Sequence, residues 1–459
     1  MKNTRLTIFS LSVALIMTAC AGTNQKESKK GEGNTSIQPS AQPSTSQQTV
    51  SSNITLKDPR DTSMLTANCK AYIDDMRKQE EELDDDPYMY SDLNLYEGVH
   101  IEDTKYLDTG DVNGKNETVN GQIPDRSDKS LGIDLEFTVE DGYEADEYTV
   151  LVSQNDDMSD AKEFKTTGNK VNVQNLFVNT EYYWQVIADD EESEISSFTT
   201  GDYPRWITCR SLTGEEGGRG IYNVRDLGGY MTESGQRVKQ GLVYRGGEIT
   251  TMTSSGHYNT ITEVAKKAFR EDMGMVGGIE LDLRGTSDIG DGYKACAFAE
   301  DGDIDYVMHA IKSYEETFTK TRSEVAPIFE LLKEADKKPV YFHCFGGADR
   351  TGTIGFLLNG LLGVSYTDLV IDFELTSYSS INNEHIRCHM PTNTSLGQRH
   401  QHSYDRWPAL INQIKTDTTG GYAWDDDALL MDNIESFLVK ACSVPQTTID
   451  TIRDIMLED

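Results

Sequence analysis

The sequence predicts a multidomain chain: an all-β sandwich module followed by an α/β domain with a central, largely parallel sheet. Two observations carry this. From about Gly121 to Thr200, short runs alternate apolar and polar residues, as in Ile133, Leu135 and Phe137 and again in Tyr148, Val150 and Val152. Beyond Gly201, strands alternate with helices, the pattern of a parallel sheet whose site lies at the strands' carboxyl ends. The 459 residues can hold two or three domains with sizeable cores. Lys plus Arg number 42 against 77 Asp plus Glu, a formal net charge of −35. That balance argues against nucleic acid or an acidic membrane surface as partner, and any attraction for an anion must be local.

Residues 1–19 read as an export signal. Lys2 and Arg5 supply the charged start, and the apolar stretch Leu6 to Met17 is too short for a comfortable membrane span. Met17-Thr18-Ala19-Cys20 resembles the lipobox of bacterial lipoproteins, with methionine where leucine is usual. The resemblance implies that Cys20 is lipidated and that the protein is extracytoplasmic, anchored in the cell envelope, or secreted if the lipobox is not used. Residues 20–55 read as a flexible tether, since Ala21 to Asn53 has almost nothing apolar. Residues 56–119 form an acidic, partly helical segment. Leu65, Cys69, Tyr72, Ile73 and Met76 keep helical spacing, which predicts a helix over Thr62 to Lys78. Glu80 to Glu82 and Asp84 to Asp86 lack the alternating ligands and glycine of a calcium loop, so they read as a solvated face.

Residues 120–203 are the sandwich. Further strands are Val171 to Val173, Thr180 to Ala188 and Ile195 to Thr199, with turns at Asp141-Gly142 and Gly168-Asn169. Leu176, Thr180, Tyr182, Trp184, Val186 and Ala188 resemble a strand of fibronectin type III-like domains. This implies that Tyr182 hydrogen-bonds back across a corner and that Trp184 packs inside. Such modules space other domains or bind a protein or glycan ligand.

Residues 204–459 are the α/β domain. Asn223 to Tyr230, with Gly228-Gly229 as a turn, precede Leu242 to Arg245; on structure alone, Arg225 and Arg245 could be surface charges. His257 to Met273 reads as a helix, Gly278 to Arg284 and Ile304 to Ile311 as strands, and Tyr314 to Ala335 as a helix with Val325, Ile328, Phe329 and Leu332 on one face. Val340 to Phe342 is a buried strand delivering His343 and Cys344; an apolar helical run then extends from Ile354 to Leu362. Ser365 with Asp368 forms a capping-box start, and Ile434 to Leu438 and Thr448 to Met456 are closing helices.

A strand, a glycine-bearing turn and a helix N-terminus make an anion site, because free backbone N–H groups converge where the helix dipole is positive. At Cys344 to Gly352 such a turn begins with a cysteine and carries Arg350 six positions on. The amides and a nearby cation favour a thiolate, and a guanidinium fork suits two phosphate oxygens. His343-Cys344, five residues, then Arg350-Thr351-Gly352 resembles the signature loop of cysteine-dependent protein tyrosine phosphatases. The Asp349-Arg350-Thr351-Gly352 ending is most similar to bacterial members that include dual-specificity and phosphoinositide-active enzymes. Asn223 to Tyr230 and Tyr244-Arg245 resemble the opening strands of the same family, and Asp282-Leu283-Arg284 resembles the strand end that lies beside the loop.

The resemblance implies a phosphocysteine on Cys344. The amides of Phe345, Gly346, Gly347, Ala348, Asp349 and Arg350 would bind phosphate with the Arg350 guanidinium. His343 would orient the loop, and Thr351 would hydrogen-bond the sulfur. Asp349 and Asp282 are alternative general acids, Asp349 being preferred; Asp282 could instead pair with Arg284 or Arg245. No metal or other cofactor is implied. Close relatives active on phosphoinositides usually carry lysine where this chain has Ala348, which favours a phosphorylated peptide, above all phosphotyrosine, or a small phosphate ester.

Rhodanese-like sulfurtransferases and a surface binding protein with an inactive phosphatase domain are the rival classes. The Arg-Thr-Gly ending and the intact His343, Cys344 and Arg350 speak against them. With Cys20 and Cys344 assigned, Cys69, Cys209, Cys296, Cys388 and Cys442 are an odd set, read mostly as buried thiols. His385, Cys388, His389, His400 and His402 match no zinc spacing and read as loop or surface residues.

Overall fold

Alternating side chains build the N-terminal sheets. Strand β2 (Ile133–Val139) buries Ile133, Leu135 and Phe137 and leaves Asp134 exposed, so one face is apolar. The structure, a computed structural model, describes residues 52–83, 130–143, 145–189, 191–209, 220–249, 261–289, 298, 302–378 and 406–458. The export signal, Cys20, the acidic run from Asp84, Cys296 and the cluster from His385 to His402 lie outside the described residues.

Two antiparallel sheets share one apolar cluster. The first has the order β1 (Ile54–Lys57), β2, β5 (Lys170–Val173). The second runs β4 (Lys162–Thr166), β3 (Tyr148–Ser153), β6 (Glu181–Ala188), β7 (Glu191–Glu192), with β8 (Ser196–Thr199) also on β6. Strand β1 begins inside the stretch read as tether, because Ile54 is apolar enough to join the core opposite Val139. Tyr182 Oη accepts the backbone N–H of Phe177 at 2.9 Å, and Trp184 is fully buried.

Helix α1 (Ala67–Leu83) starts and ends five residues later than expected, and its packing is the larger surprise. Leu65, Cys69, Tyr72, Ile73 and Met76 join the main core of the C-terminal domain, not that of the β-module. Burial pushes the Cys69 thiol up to about 12.

The C-terminal sheet has the order β12 (Asp305–Met308), β11 (Ile279–Asp282), β13 (Val340–His343), β10 (Val243–Gly246), β9 (Arg225–Asp226). All neighbours are parallel except β9, an antiparallel edge. Strand β13 is central and wholly buried. Val340 and Phe342 face the larger cluster and Tyr341 the smaller one, where α2 (Glu263–Lys267) and the π-helical turn Ala268–Asp272 place Ala265 and Phe269.

The helix expected over Tyr314 to Ala335 is broken. Helix α4 (Glu315–Lys320) ends before a 3-10 turn, Arg322–Glu324, and α5 (Val325–Leu332) follows. The ring of Pro327 would clash with the carbonyl four residues back in a continuous helix; the break puts it in the first turn of α5, where no N–H is needed. The remaining helices are α3 (Thr286–Ile289), between β11 and β12, then α6 (Asp349–Leu361), α7 (Tyr366–Leu375), α8 (Arg406–Thr416), α9 (Leu430–Lys440) and α10 (Gln446–Met456). Ser365 caps α7 through the Asp368 N–H at 3.2 Å, while the Asp368 carboxylate receives Arg77 of α1 at 3.0 and 3.1 Å.

The β-module is latched to the C-terminal domain by paired polar bonds. Gln240 exchanges two hydrogen bonds with the Val178 backbone, at 2.8 and 2.9 Å. Buried Arg205 reaches the carbonyls of Asn175 (2.7 Å), Leu176 (3.0 Å) and Asp272 (3.1 Å) and the Asp226 carboxylate (2.8 Å).

Ile73 tests whether α1 belongs to the C-terminal domain. It is fully buried there, so Ile73→Ala should cost about 2–5 kcal/mol, read by urea unfolding. A change below about 0.5 kcal/mol would make α1 a surface appendage.

Candidate active site

Cys344 leaves the carboxyl end of β13, where its neighbour His343 lies opposite Gly246 on one side and Asp282 on the other. The five residues Cys344 to Ala348 then turn into α6. Gly347 has φ +68°, and a Cβ there would sit 2.4 Å from the Gly246 carbonyl, so only glycine fits the approach.

Four successive carbonyls of this loop are tied to the scaffold. A ring N–H of His343 donates to Cys344 O at 3.0 Å, and the Glu248 N–H to Phe345 O at 2.9 Å. Asn223 Nδ2 donates to Gly346 O at 3.0 Å, and Arg245 to Gly347 O at 2.8 Å. With these carbonyls tied to the scaffold, the amides of Phe345 to Ala348 have no acceptor among the described residues. Helix α6 begins directly after them, so its positive N-terminal end adds to the potential at the loop.

The clamps are themselves held by Asp372. Its Oδ1 accepts Arg225 Nε at 3.1 Å, its backbone carbonyl accepts Arg225 at 2.9 Å, and its Oδ2 accepts Arg245. Arg225 also donates to the side chain of Asn223. Both arginines are fully buried and are not surface charges. Burial pushes the Asp372 carboxyl up, but the two guanidiniums outweigh it and hold the group below the usual carboxylate range.

His343 is also fully buried, with Nε2 on Glu280 Oε1 at 2.9 Å and Nδ1 on Cys344 O at 3.0 Å. A carboxylate and a carbonyl both accept, so both ring nitrogens carry hydrogen and the ring is an imidazolium. Burial opposes that charge; Asp282 and Glu280 more than offset it, and the pKa lies above the ordinary histidine value.

The two aspartates expected near the chemistry differ sharply. Asp282 is fully buried, and its carboxylate takes the Arg284 backbone N–H at 2.9 Å, the Arg284 guanidinium at 2.8–3.2 Å and Tyr306 Oη at 3.1 Å. Burial raises its pKa, but His343 and Arg284 together hold it below the usual range. Asp349 is half-buried in the first turn of α6, with Oδ1 accepting Tyr314 Oη at 2.7 Å. Arg350 pairs with Asp288 of α3, at 2.8 and 3.4 Å. The Thr351 hydroxyl is buried with no hydrogen-bond partner among the described residues, so the expected bond to the sulfur is not made. Phe345 is 44 % exposed at the rim, between the guanidiniums of Arg284 (5.3 Å) and Arg350 (5.9 Å).

Asn223, Glu248, Glu280, Asp288, Tyr314 and Asp372 were not singled out from the sequence. Asp372 left one signal: it is one of two acids, with Glu374, in the apolar stretch Leu369 to Leu375, where a counter-charge for two buried arginines can lie. Cys69, Cys344 and Cys442 are buried free thiols, and Cys209 is buried with its sulfur 4.0 Å from Met273 Sδ. Among the described residues, no group of three or more His, Cys, Asp or Glu could hold a metal.

Asp372→Asn would leave two buried guanidiniums short of an anion, so it should destabilise the domain by about 3–5 kcal/mol in denaturant titrations. The pH dependence of Glu280→Gln follows from the raised His343 pKa. The wild type's stability advantage over this variant should be full between about pH 5 and 6.5. It should then fall as pH rises through the folded value of His343. An advantage that grows with pH would exclude the imidazolium.

A search of curated protein sequences finds no match for this chain. A family model described as the tyrosine phosphatase family matches residues 218–458, a span that contains the loop, its clamps and the whole C-terminal sheet. This match covers more than half of the chain, which therefore belongs to the tyrosine phosphatase family and is a phosphatase, a hydrolase.

Proposed function

We propose that the enzyme hydrolyses phosphate monoesters, above all phosphotyrosine, in two steps through a phosphocysteine on Cys344. The observation that supports this most directly is the loop after the cysteine, in which four tied carbonyls leave the successive amides of Phe345 to Ala348 without an acceptor among the described residues. A phosphate there has its equatorial oxygens on the amides of Phe345 to Arg350 and on the Arg350 guanidinium, which Asp288 steadies. Sulfur attacks phosphorus as the ester P–O bond breaks. Asp349 gives its proton to the leaving oxygen, then takes one from the water that cleaves the S–P bond. Asp282 is the weaker candidate for that role, since Arg284 and Tyr306 already occupy its carboxylate. His343 places its charge beneath the loop.

Two features favour an aryl ester. The exposed ring of Phe345 stands at the rim where a phenyl group would lie. Ala348 offers no cation for a second ring phosphate, which disfavours phosphoinositides. The export signal, the lipidated Cys20 and the tether make this an extracytoplasmic lipoprotein acting on host or environmental phosphate esters. Residues 120–203, read as a fibronectin type III-like sandwich, serve as spacer or as binding surface for a protein or glycan.

Phosphate release by the chain from Ser52 onward is the test, with reductant and without metal, on a phosphotyrosine peptide, a phosphoserine peptide and a phosphoinositide. The phosphotyrosine peptide should rank first, and Cys344→Ser should lower turnover more than about a thousandfold. Turnover that survives in Cys344→Ser would refute the covalent route, and a phosphoinositide ranking first would refute the substrate argument.

A further inference from the structure

We propose that Tyr314 is the positioning residue for the proton-donating carboxylate of Asp349, an inference that rests on the reading of Asp349 as general acid. Tyr314 has φ +52° and ψ −128°, a conformation that favours glycine, and it is 1 % exposed. Holding a bulky side chain there strains the backbone, and such strain persists only where its surroundings over-determine it. Here they do. The Tyr314 N–H donates to Thr353 Oγ1 at 2.9 Å, and its hydroxyl donates to Asp349 Oδ1 at 2.7 Å. Its ring meets Phe373 edge-on, with centroids 6.3 Å apart. Thr353 Oγ1 in turn donates to the Asp349 carbonyl at 3.0 Å. Backbone and hydroxyl of one strained residue thus grip the helical turn from which Asp349 and Arg350 project.

A glycine would relieve the backbone but lose the hydroxyl; a phenylalanine would keep the packing and the backbone bond to Thr353. What tyrosine adds is a hydroxyl that fixes one carboxylate oxygen of Asp349, a half-buried side chain on the first helical turn. With Oδ1 fixed as acceptor, the transferable proton sits on Oδ2. In the first step the S–P bond forms, the ester P–O bond breaks with its electron pair on the leaving oxygen, and that oxygen takes the Oδ2 proton. In the second, Asp349 takes a proton from the attacking water as the S–P bond breaks and the sulfur leaves with the electron pair. The tyrosine hydroxyl keeps its proton throughout.

The experiment compares p-nitrophenyl phosphate, whose leaving group needs no acid, with phenyl phosphate, whose leaving group does. Wild type, Y314F, D349N and the double variant are measured in the otherwise complete chain. D349N should lose about a hundredfold in kcat on phenyl phosphate and only a few-fold on p-nitrophenyl phosphate. Y314F should lose about tenfold on phenyl phosphate alone, with KM and inhibition by inorganic phosphate unchanged, and the double variant should match D349N. Equal losses on both substrates, weakened inhibition by phosphate, or a Y314F loss that multiplies on the D349N background would overturn the proposal. A D349N variant without leaving-group selectivity would instead refute the acid assignment, and the proposal with it. Should Y314F fail to fold, T353V removes the hydroxyl that grips the Tyr314 backbone and is held to the same selective loss.

Discussion

One carboxylate between two buried guanidiniums sets the geometry of this enzyme. Asp372 lies 147 residues from Arg225 and 127 from Arg245 in sequence, yet both cations end on it. A buried charge left alone costs several kcal/mol, so neither arginine can relax without finding another anion. Each guanidinium has donors to spare. Arg245 places one on the Gly347 carbonyl, and Arg225 fixes Asn223, which holds the Gly346 carbonyl. Through these bonds the carbonyls of Gly346 and Gly347 are fixed to the same buried charge cluster.

The support extends into parts of the chain that contribute nothing to the chemistry. Helix α7 carries Asp372, and α1, which lies in sequence between strands β1 and β2 of the β-module, packs on α7 with Arg77 bound to Asp368. The β-module bonds to the same domain through Gln240 and Arg205, and Arg205 reaches the Asp226 carboxylate next to Arg225. The loop after Cys344 therefore stands on three layers: its own clamps, the helix that carries Asp372, and α1 packed on that helix. This explains why α1 buries its apolar face away from the β-module whose strands β1 and β2 flank it in sequence.

Charge is equally local. The chain carries a formal net charge of −35, which repels anions at a distance. At the loop, Arg245, Arg350 and His343 are each paired with an acid, Asp372, Asp288 and Glu280. At separations shorter than a Debye length of about 8 Å, such local charges count for more than the distant excess of acid.

How far the sequence speaks depends on how local each signal is. The strand Val340 to His343, the glycine-bearing turn and Arg350 lie within eleven consecutive residues, and their apolar run, backbone needs and helix start are all readable there. The alternating strands of the β-module were legible for the same reason: a period of two is local. Tertiary structure alone decided which cations are buried, which carboxylate answers them and where α1 packs, since each pairing joins residues more than a hundred positions apart. It also decided that Asp282 is locked by Arg284 and Tyr306 while Asp349 remains half-buried. Two aspartates of identical chemistry can be told apart only by what surrounds them, and those surroundings are assembled by folding.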